Sequence, residues 1–263
     1  MNEQPIGIFD SGVGGLTVVE KIVKFLPKEK IIYFGDTARV PYGTKSYKIV
    51  KNFALDDVKF LLKFKPKLIV IACHTVSSLV ADILKKKFPD IFFIDVVKPS
   101  IEKALKITEN KKIGIIGTPA TIRSGKYQKL LKEKKIKSFA KACPLFVPLV
   151  EEGWINHHLV IEVANIYLKE FKKEKIDTLI LGCTHYPILK KIIQKVMGEK
   201  VKLVDASEEV ALSVKKFLME NNLFSNSKKT YIKLFFSDLN PYLEKIIKYF
   251  LKHKKVKIEE MKW

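Results

Sequence analysis

Short apolar runs recur along the whole chain and alternate with longer stretches in which apolar residues are three or four positions apart. The runs are rich in β-branched residues and predict strands at 6–9, 31–34, 68–71, 91–94, 113–116, 179–181, 201–204 and 231–236. The stretches between them have helical spacing, as in residues 47–62. Because the runs are apolar throughout rather than alternating, they favour parallel strands that are covered on both faces. The pattern therefore predicts an α/β fold assembled from strand–helix–strand units.

Part of this pattern occurs twice. The repeated segments are 5–11 (PIGIFDS) with 112–118 (KIGIIGT), and 68–75 (LIVIACHT) with 179–185 (LILGCTH). The two offsets are nearly equal, so two copies of one α/β unit explain them economically, whereas chance similarity between buried strands is the alternative. Helices that are predicted to begin near 97–100 and 205–208 mark the seams between the copies.

The composition is that of a globular chain with an unusual charge. Its 263 residues are 47% hydrophobic and 29% charged, which is enough apolar material for one large or two small cores. The net charge of +21 is compatible with a nucleic-acid partner, but only Arg39 and Arg123 are arginines and the lysines are spread over all the predicted helices. Since guanine edges and phosphates are read mainly by arginine, we interpret the charge as a solvated lysine surface. A polyanion site is the alternative.

Membrane, secreted and disulfide-rich classes are disfavoured. The longest apolar run, 68–72, is far shorter than the roughly 18 residues of a membrane helix, and residues 1–5 lack the start of a signal peptide. Three cysteines (Cys73, Cys143 and Cys183) are too few for a disulfide framework, and an odd number fits a reducing compartment. We therefore expect a cytoplasmic protein without a membrane partner.

Polar and ionisable residues concentrate where the predicted strands end, which is where ligands bind in open α/β sheets. These segments are 10–15, 35–36, 73–75, 117–121 and 182–185. The turn at 10–15 offers backbone amides to an anion. It matches the dinucleotide fingerprint at Gly12 and Gly14 but has Thr17 in place of the third glycine, with Asp36 as a candidate ribose partner. A nucleotide therefore stays open as an alternative to a small carboxylate.

Cys73 and Cys183 hold equivalent positions in the two copies, and each lies beside a threonine and a histidine. Two copies placed face to face would bring these thiols to opposite walls of one cleft. That arrangement suits stereoinversion at a carbon acid, in which a thiolate removes a proton while a thiol on the other face returns one. Each thiol needs an activating group, and the candidates are Asp10 on the first side and His185 or Glu152 on the second.

Structural, redox and metal-binding roles are the alternative interpretations of the cysteines. A single cysteine at a strand end is usually a small buried hydrophobe, and we keep that interpretation for Cys143. A redox pair is disfavoured because no Cys-x-x-Cys is present. Zinc ligation by Cys73, His74, Cys183 and His185 stays open, although adjacent ligands are not the usual spacing of a structural zinc site.

Seven motifs carry a resemblance that covers essentially the whole chain. They are DSGVGGL (10–16), GDTARVPYG (35–43), AC (72–73), IGTPAT (116–121), CPLFVP (143–148), EG (152–153) and LGCTHYP (181–187). In this order they resemble the cofactor-independent glutamate racemases of the aspartate/glutamate racemase superfamily. The resemblance implies interconversion of L- and D-glutamate, with D-glutamate supplied for peptidoglycan synthesis.

The resemblance also implies an architecture and roles for individual residues. Two similar doubly wound parallel-sheet domains would face a central cleft, the first formed by 1–97 plus 207–263 and closed by the C-terminal segment, the second by 98–206. Cys73 would deprotonate the D-isomer with help from Asp10, and Cys183 the L-isomer with help from His185 and Glu152. Contacts with glutamate would come from Asp10, Ser11, Tyr42, Gly43, His74, Thr75, Thr118, Thr121, Thr184 and His185. No metal or other cofactor and no nucleic acid is implied, and a homodimer is usual.

One position departs from the resemblance. The family normally has Cys-Asn-Thr, whereas this chain has Cys73-His74-Thr75. An imidazole titrates near neutrality, so a cationic His74 would favour a thiolate at Cys73 and repel the substrate ammonium, while a neutral one would replace the amide. A sibling racemase that acts on aspartate or another amino acid is a rival function, and a nucleotide- or DNA-binding module is another.

Overall fold

The computed structural model describes residues 2–227, 229–239, 243–251 and 254–261. Within these ranges the strands are β1 (Ile6–Asp10), β2 (Ile31–Gly35), β3 (Leu68–Ile71), β4 (Phe93–Asp95), β5 (Lys112–Gly117), β6 (Lys137–Ala142), β7 (Thr178–Gly182), β8 (Lys202–Val204), β9 (Ile232–Phe236) and β10 (Val256–Glu260). All eight predicted strands are present, with ends within two residues of the prediction.

Twelve α-helices alternate with these strands in the described part of the chain. They are α1 (Leu16–Phe25), α2 (Tyr47–Leu62), α3 (His74–Leu79), α4 (Ala81–Lys87), α5 (Val97–Ile107), α6 (Pro119–Arg123), α7 (Lys126–Glu133), α8 (Phe146–Glu151), α9 (His158–Glu174), α10 (Lys190–Met197), α11 (Ser207–Glu220) and α12 (Leu243–Phe250). None of the described helices is both long and apolar enough to cross a membrane.

The strands form two sheets, and every strand pair in them is parallel. The first sheet has the order β10-β9-β2-β1-β3-β4 and the second the order β6-β5-β7-β8. Strands β2-β1-β3-β4 of the first sheet therefore correspond one by one to β6-β5-β7-β8 of the second. The sequence repeat relates β1 to β5 and β3 to β7, which lie at equivalent places in the two sheets. Strands β9 and β10 extend the first sheet beside β2.

Helices cover both faces of each sheet, as the wholly apolar strands predict. In the first sheet, Ile8 points to a core shared with α1 and α11, whereas Phe9 points to a core shared with α2 to α4. In the second sheet, Ile116 packs with α8 to α10 and Ile115 packs with α5 and α7. The predicted fold class, two similar doubly wound parallel-sheet domains, is confirmed.

Two strands were not expected from the sequence. Strand β6 lies at the edge of the second sheet, is only half-buried and carries Lys137 and Lys141. Strand β10 lies at the edge of the first sheet and is largely exposed. Edge strands with charged residues lack the apolar run on which the prediction relies.

The two seams are helix starts, each capped by an aspartate. The Asp95 Oδ1 atom accepts a hydrogen bond from the Val97 amide at 3.1 Å, and Asp205 Oδ1 accepts one from the Ser207 amide at 2.9 Å. The strands of the first sheet lie before the first seam or after the second, and those of the second sheet lie between them. The domain limits 1–97 plus 207–263 and 98–206 remain a prediction that is compatible with this division, and residues 262–263 lie outside the described part.

Candidate active site

The carboxyl ends of the two sheets meet at one enclosed cavity. Its wall consists of Ser11, Pro41, Tyr42, Gly43, Cys73, His74, Thr75, Thr118, Val147, Cys183, Thr184 and His185. The cavity measures about 10 Å³, which is the space of roughly one water molecule. The cleft between the domains is therefore closed, and an amino acid can enter only when the domains separate.

Both predicted thiols line this cavity, one from each domain. Cys73 follows β3 and immediately precedes α3, and Cys183 follows β7. Their exposed fractions are 4% and 6%, so the closed cleft shields both from solvent. Because β3 and β7 are equivalent strands, the repeat itself places the two sulfur atoms in one site. The third cysteine, Cys143, is buried in the core of the second domain and is not a residue of this wall.

The first half of the site combines Cys73 with Ser11 and Asp10. The Cys73 thiol lies 3.7 Å from the Ser11 hydroxyl oxygen. Burial raises the pKa of Cys73 to about 12, and the nearby Asp10 carboxylate adds to the rise. Burial also raises the pKa of Asp10, although the positive charge of His185 opposes this. In the closed cleft Cys73 is therefore a neutral thiol.

Two amides of the glycine-rich turn after β1 are bound to the carboxylate of Asp10. The amides of Gly12 and Gly15 donate to the Asp10 carboxylate at 3.3 and 3.0 Å, and the Thr184 hydroxyl of the other domain donates to it at 3.2 Å. A Cβ atom on Gly14 would lie 2.5 Å from the Thr184 hydroxyl oxygen. The small residues here let the second domain approach, and an anion site at this turn remains a prediction.

The second half of the site is a chain of three side chains. The Cys183 sulfur lies 3.8 Å from Nδ1 of His185, whose Nε2 lies 2.5 Å from Oε1 of Glu151. Burial disfavours the charged imidazole, but the hydrogen bonds to Cys183 and Glu151 and the carboxylate charge outweigh it and raise the pKa of His185 well above its ordinary value. His185 is therefore an imidazolium that can stabilise a thiolate at Cys183.

The carboxylate on this side comes from Glu151, whereas the sequence suggested Glu152. Glu151 is the last residue of α8, and Glu152 follows it and is exposed to solvent. Neighbouring residues on a helix point about 100° apart, so only one of the two can face the cleft. Val147 lies one turn before Glu151 on the same side and lines the cavity, and this helical phase is the signal that distinguishes the two glutamates.

Three threonine hydroxyls from both domains form a buried cluster, in which Thr75 and Thr118 line the cavity. Thr75 Oγ1 lies 2.9 Å from Thr118 Oγ1 and 3.4 Å from Thr121 Oγ1, and the Thr118 and Thr121 oxygens are 2.9 Å apart. Thr118 also caps α6 by accepting from the Thr121 amide at 3.2 Å. These hydroxyls can reorient as donors, so the cluster can bind a carboxylate.

Tyr42 and Gly43 line the cavity in different ways. The Tyr42 hydroxyl is occupied in a buried hydrogen bond to Asp36 and in another to Asp57 at 3.1 Å, which leaves the main chain for contact with a ligand. A Cβ atom on Gly43 would lie 2.3 Å from the Thr118 Cβ atom, so the two domains touch at this point. Asp36 is also bound to Arg39 and Ser237. It is therefore not available as the ribose partner that the nucleotide alternative needs.

His74 is neutral in the closed cleft. Burial lowers its pKa to about 3, and its Nδ1 atom lies 2.7 Å from the Tyr127 hydroxyl oxygen. The cationic alternative considered from the sequence is therefore wrong for this conformation. Among the described residues, no group of three or more His, Cys, Asp or Glu side chains is arranged to hold a metal ion.

Comparison with known proteins gives this site a chemical context. The family model for Asp/Glu/hydantoin racemases matches residues 6–213. The chain belongs to that racemase family. The glutamate racemase of Aquifex pyrophilus is 49% identical over 246 residues, which cover 94% of this chain and 93% of that protein. The glutamate racemase of Chlorobaculum parvum is 45% identical over 250 residues, covering 94% and 92%.

A solved structure agrees with the sequence relatives. The glutamate racemase of Francisella tularensis, crystallised in complex with D-glutamate, matches with a TM-score of 0.93 and 38% identity over 100% of this chain and 98% of that one. The chain is therefore an isomerase of the amino-acid racemase class, and its relatives place it with the glutamate racemases. Beside the residues that the sequence singled out, the structure places Glu151 against His185 and Tyr127 against His74.

Proposed function

We propose that this racemase interconverts L- and D-glutamate without a cofactor, with Cys73 and Cys183 acting on opposite faces of the α-carbon. The observation that supports this most directly is that both thiols line one closed cavity, each from the equivalent strand of its domain. Because its relatives include glutamate racemases, we take glutamate rather than another amino acid as the substrate of this chain. The threonine cluster and Asp10 offer partners for the carboxylates and the ammonium.

In the proposed L-to-D reaction, the Cys183 thiolate removes the α-proton and the Cys73 thiol donates a proton to the other face. The imidazolium of His185, held by Glu151, stabilises the thiolate before the reaction. The high pKa of Cys73 keeps its proton in place until the carbanion forms. The D-to-L reaction starts from the opposite protonation state, and Asp10 is the group that would assist removal of the proton from Cys73.

The α-proton of an amino acid is far less acidic than a thiol, so opposed bases alone do not suffice. Negative charge that develops on the α-carboxylate needs donors that are already in place. The hydroxyls of Thr75, Thr118 and Thr121 are buried and close together, which makes them suitable donors. The closed cleft also excludes bulk water and thereby strengthens these contacts.

The neighbouring residues Glu151 and Glu152 give a direct test of the half of the site that contains Cys183 and His185. Glu151→Gln keeps the size of the side chain but removes its charge, so the pKa of His185 should fall and the thiolate at Cys183 should lose its partner. We expect kcat/KM for both isomers to fall by one to two orders of magnitude, roughly. Glu152→Gln is the matched control and should stay within about twofold of the parent. A larger loss in Glu152→Gln than in Glu151→Gln would contradict the assignment.

The buried His74 gives a pH prediction. Its pKa is about 3 in the closed cleft and ordinary in an open one, near 6.5. As the pH falls through this ordinary value, the open form binds a proton that the closed form excludes, so acid favours opening. We expect KM for glutamate to rise about tenfold from about pH 7.5 to about pH 5.5. His74→Asn should remove most of this rise, and an identical pH profile in the two proteins would contradict the prediction.

A substrate panel followed by circular dichroism tests the function itself. Inversion of glutamate should exceed that of aspartate by at least about tenfold, because a shorter substrate leaves polar groups of the site unpaired. EDTA and hydrazine should leave the rate unchanged. Faster inversion of aspartate would support the sibling enzyme, and inversion of no amino acid would refute the proposal.

The physiological setting is also a proposal. By its likeness to glutamate racemases, the chain would supply D-glutamate for peptidoglycan synthesis in the cytoplasm and would act as a homodimer. Growth of a D-glutamate auxotroph that expresses the chain tests the supply, and sedimentation tests the oligomer. Retention of DNA above about 200 mM salt would instead favour the nucleic-acid alternative.

A further inference from the structure

A buried hydrogen bond joins the two domains at His74, the residue that follows Cys73 in the chain. His74 is the first residue of α3 in the first domain, and Tyr127 lies on α7 in the second. The distance from His74 Nδ1 to the Tyr127 hydroxyl oxygen is 2.7 Å, and the rings are nearly parallel, 22° apart. Both side chains are buried, Tyr127 completely.

This contact continues to the seam between the domains. The Tyr127 hydroxyl lies 3.4 Å from Ser100 Oγ, and the Ser100 hydroxyl donates to the Val96 carbonyl at 2.6 Å. A carbonyl can only accept, so Ser100 must donate to Val96, Tyr127 donates to Ser100, and His74 donates to Tyr127 through Nδ1–H. The chain of hydrogen bonds therefore fixes the tautomer of His74 and ties α3 to the seam helix α5.

The bond differs from two hydrogen-bonded contacts between the domains that lie at the cavity. Thr75, which bonds to Thr118, and Thr184, which donates to Asp10, lie on the cavity wall, and their partners would change when a substrate binds. Among the described residues of the cavity wall, His74 is present and Tyr127 is not. The bond between His74 and Tyr127 can therefore persist in the closed complex.

We propose that His74 is a positioning residue, whose bond to Tyr127 holds the domains in the closed arrangement that makes Cys73 face Cys183. The expected kinetic effects of this inference rest on the proposed function, whereas the expected effect on closure of the cleft does not. In an open cleft both groups can bind water. A closed cleft without the Tyr127 hydroxyl buries the Nδ1–H group of His74 without an acceptor, and such a group disfavours the closed form.

Alkylation of the cysteines in the ligand-free protein tests the closure directly. Iodoacetamide reaches Cys73 and Cys183 only when the cleft opens, so Tyr127→Phe should speed the modification of both by about tenfold, measured by peptide mass spectrometry. Cys143 lies in a domain core and is the internal control, with an unchanged rate. Tyr167→Phe is the matched variant, because the Tyr167 hydroxyl accepts from the Leu145 amide within the second domain. It should leave all three rates unchanged.

Steady-state kinetics separate positioning from a general loss of structure. Tyr127→Phe should raise KM for both glutamate isomers by about tenfold and leave kcat within about twofold, because saturating substrate restores the closed form. In a His74→Asn background the same substitution should change KM by less than about twofold, since the partner is already gone. His74→Asn alone should speed alkylation of Cys183 as Tyr127→Phe does.

Unchanged alkylation of Cys183 in both Tyr127→Phe and His74→Asn, or additive effects on KM, would overturn the inference. The proposed function fails separately. A parent protein that inverts no glutamate, but whose Tyr127→Phe variant is alkylated faster, would refute the function and retain the role of His74 in closure.

Discussion

Replacing either Cys73 or Cys183 with serine is expected to lower kcat in both directions by about 10³- to 10⁴-fold. A serine hydroxyl ionises far less readily than a thiol, so one face of the α-carbon loses its base in one direction and its efficient acid in the other. Both directions suffer because each sulfur exchanges roles when the reaction reverses. The loss is measured by circular dichroism from L-glutamate and from D-glutamate.

Cys143→Ala is the matched control for the cysteine variants. Cys143 is fully buried in the core of the second domain, is not a residue of the cavity wall, and has its thiol directed to the Lys141 carbonyl. The main-chain carbonyl of Cys143 accepts a hydrogen bond from the Tyr186 hydroxyl, and an alanine variant retains this carbonyl. Activity within about twofold of the parent is expected. A serine variant at Cys73 or Cys183 that kept a tenth or more of the parent rate would contradict the role of that thiol.

The second large effect is expected at Gly43. A Cβ atom there would lie 2.3 Å from Cβ and 2.5 Å from Cγ2 of Thr118, which belongs to the other domain. Gly43→Ala should therefore keep the cleft from closing fully and separate the two halves of the site. Since a displacement of about 1 Å can cost two orders of magnitude in rate, kcat/KM should fall about 100-fold.

Thermal unfolding distinguishes this clash from a folding defect. The contact lies between domains, so each domain can keep its own core, and the midpoint of unfolding should stay close to that of the parent. Alkylation of Cys183 by iodoacetamide should become faster, because the variant cleft is held open. Parent-like kcat/KM in Gly43→Ala would show that the domains do not need to approach as closely as they do in this structure.

The fold could be predicted from the sequence because its strands are buried on both faces. Runs such as 68–71 and 113–116 have no polar positions, and this identifies parallel strands without further information. The repeat of 68–75 at 179–185 predicted two domains and placed Cys73 and Cys183 at equivalent points. The edge strands β6 and β10 were missed because a strand with one solvated edge tolerates lysine and glutamate.

The chemistry of the site was less accessible to sequence reasoning than its location. Asp10, Cys73, Cys183 and His185 were predicted to lie together, and the structure brings them together. The choice between Glu151 and Glu152 depends on the direction of one helix, which a motif does not specify. The bond from His74 to Tyr127 joins two helices of different domains, and such a contact leaves no periodic pattern in the sequence.

The charge states of the two site histidines could be assigned only once their burial and partners were known. In the sequence, His74 beside Cys73 could be cationic or neutral, and only its burial decides for the neutral form. His185 is buried as well, but its contact with Glu151 reverses the outcome. Two histidines that follow equivalent strands therefore differ in charge at neutral pH, one neutral and one positive, because the partner of the first is a phenol and that of the second is a carboxylate.

The central claim is that two sulfur atoms reach one α-carbon from opposite faces, and isotope exchange in deuterium oxide tests it most directly. L-glutamate is incubated with the enzyme, and the configuration and the α-hydrogen are followed together by circular dichroism and proton NMR. The account predicts that the first D-glutamate formed carries deuterium, supplied by the exchanged Cys73 thiol, while the remaining L-glutamate keeps its proton. D-glutamate that retains the original proton, or L-glutamate that exchanges faster than it inverts, would contradict it.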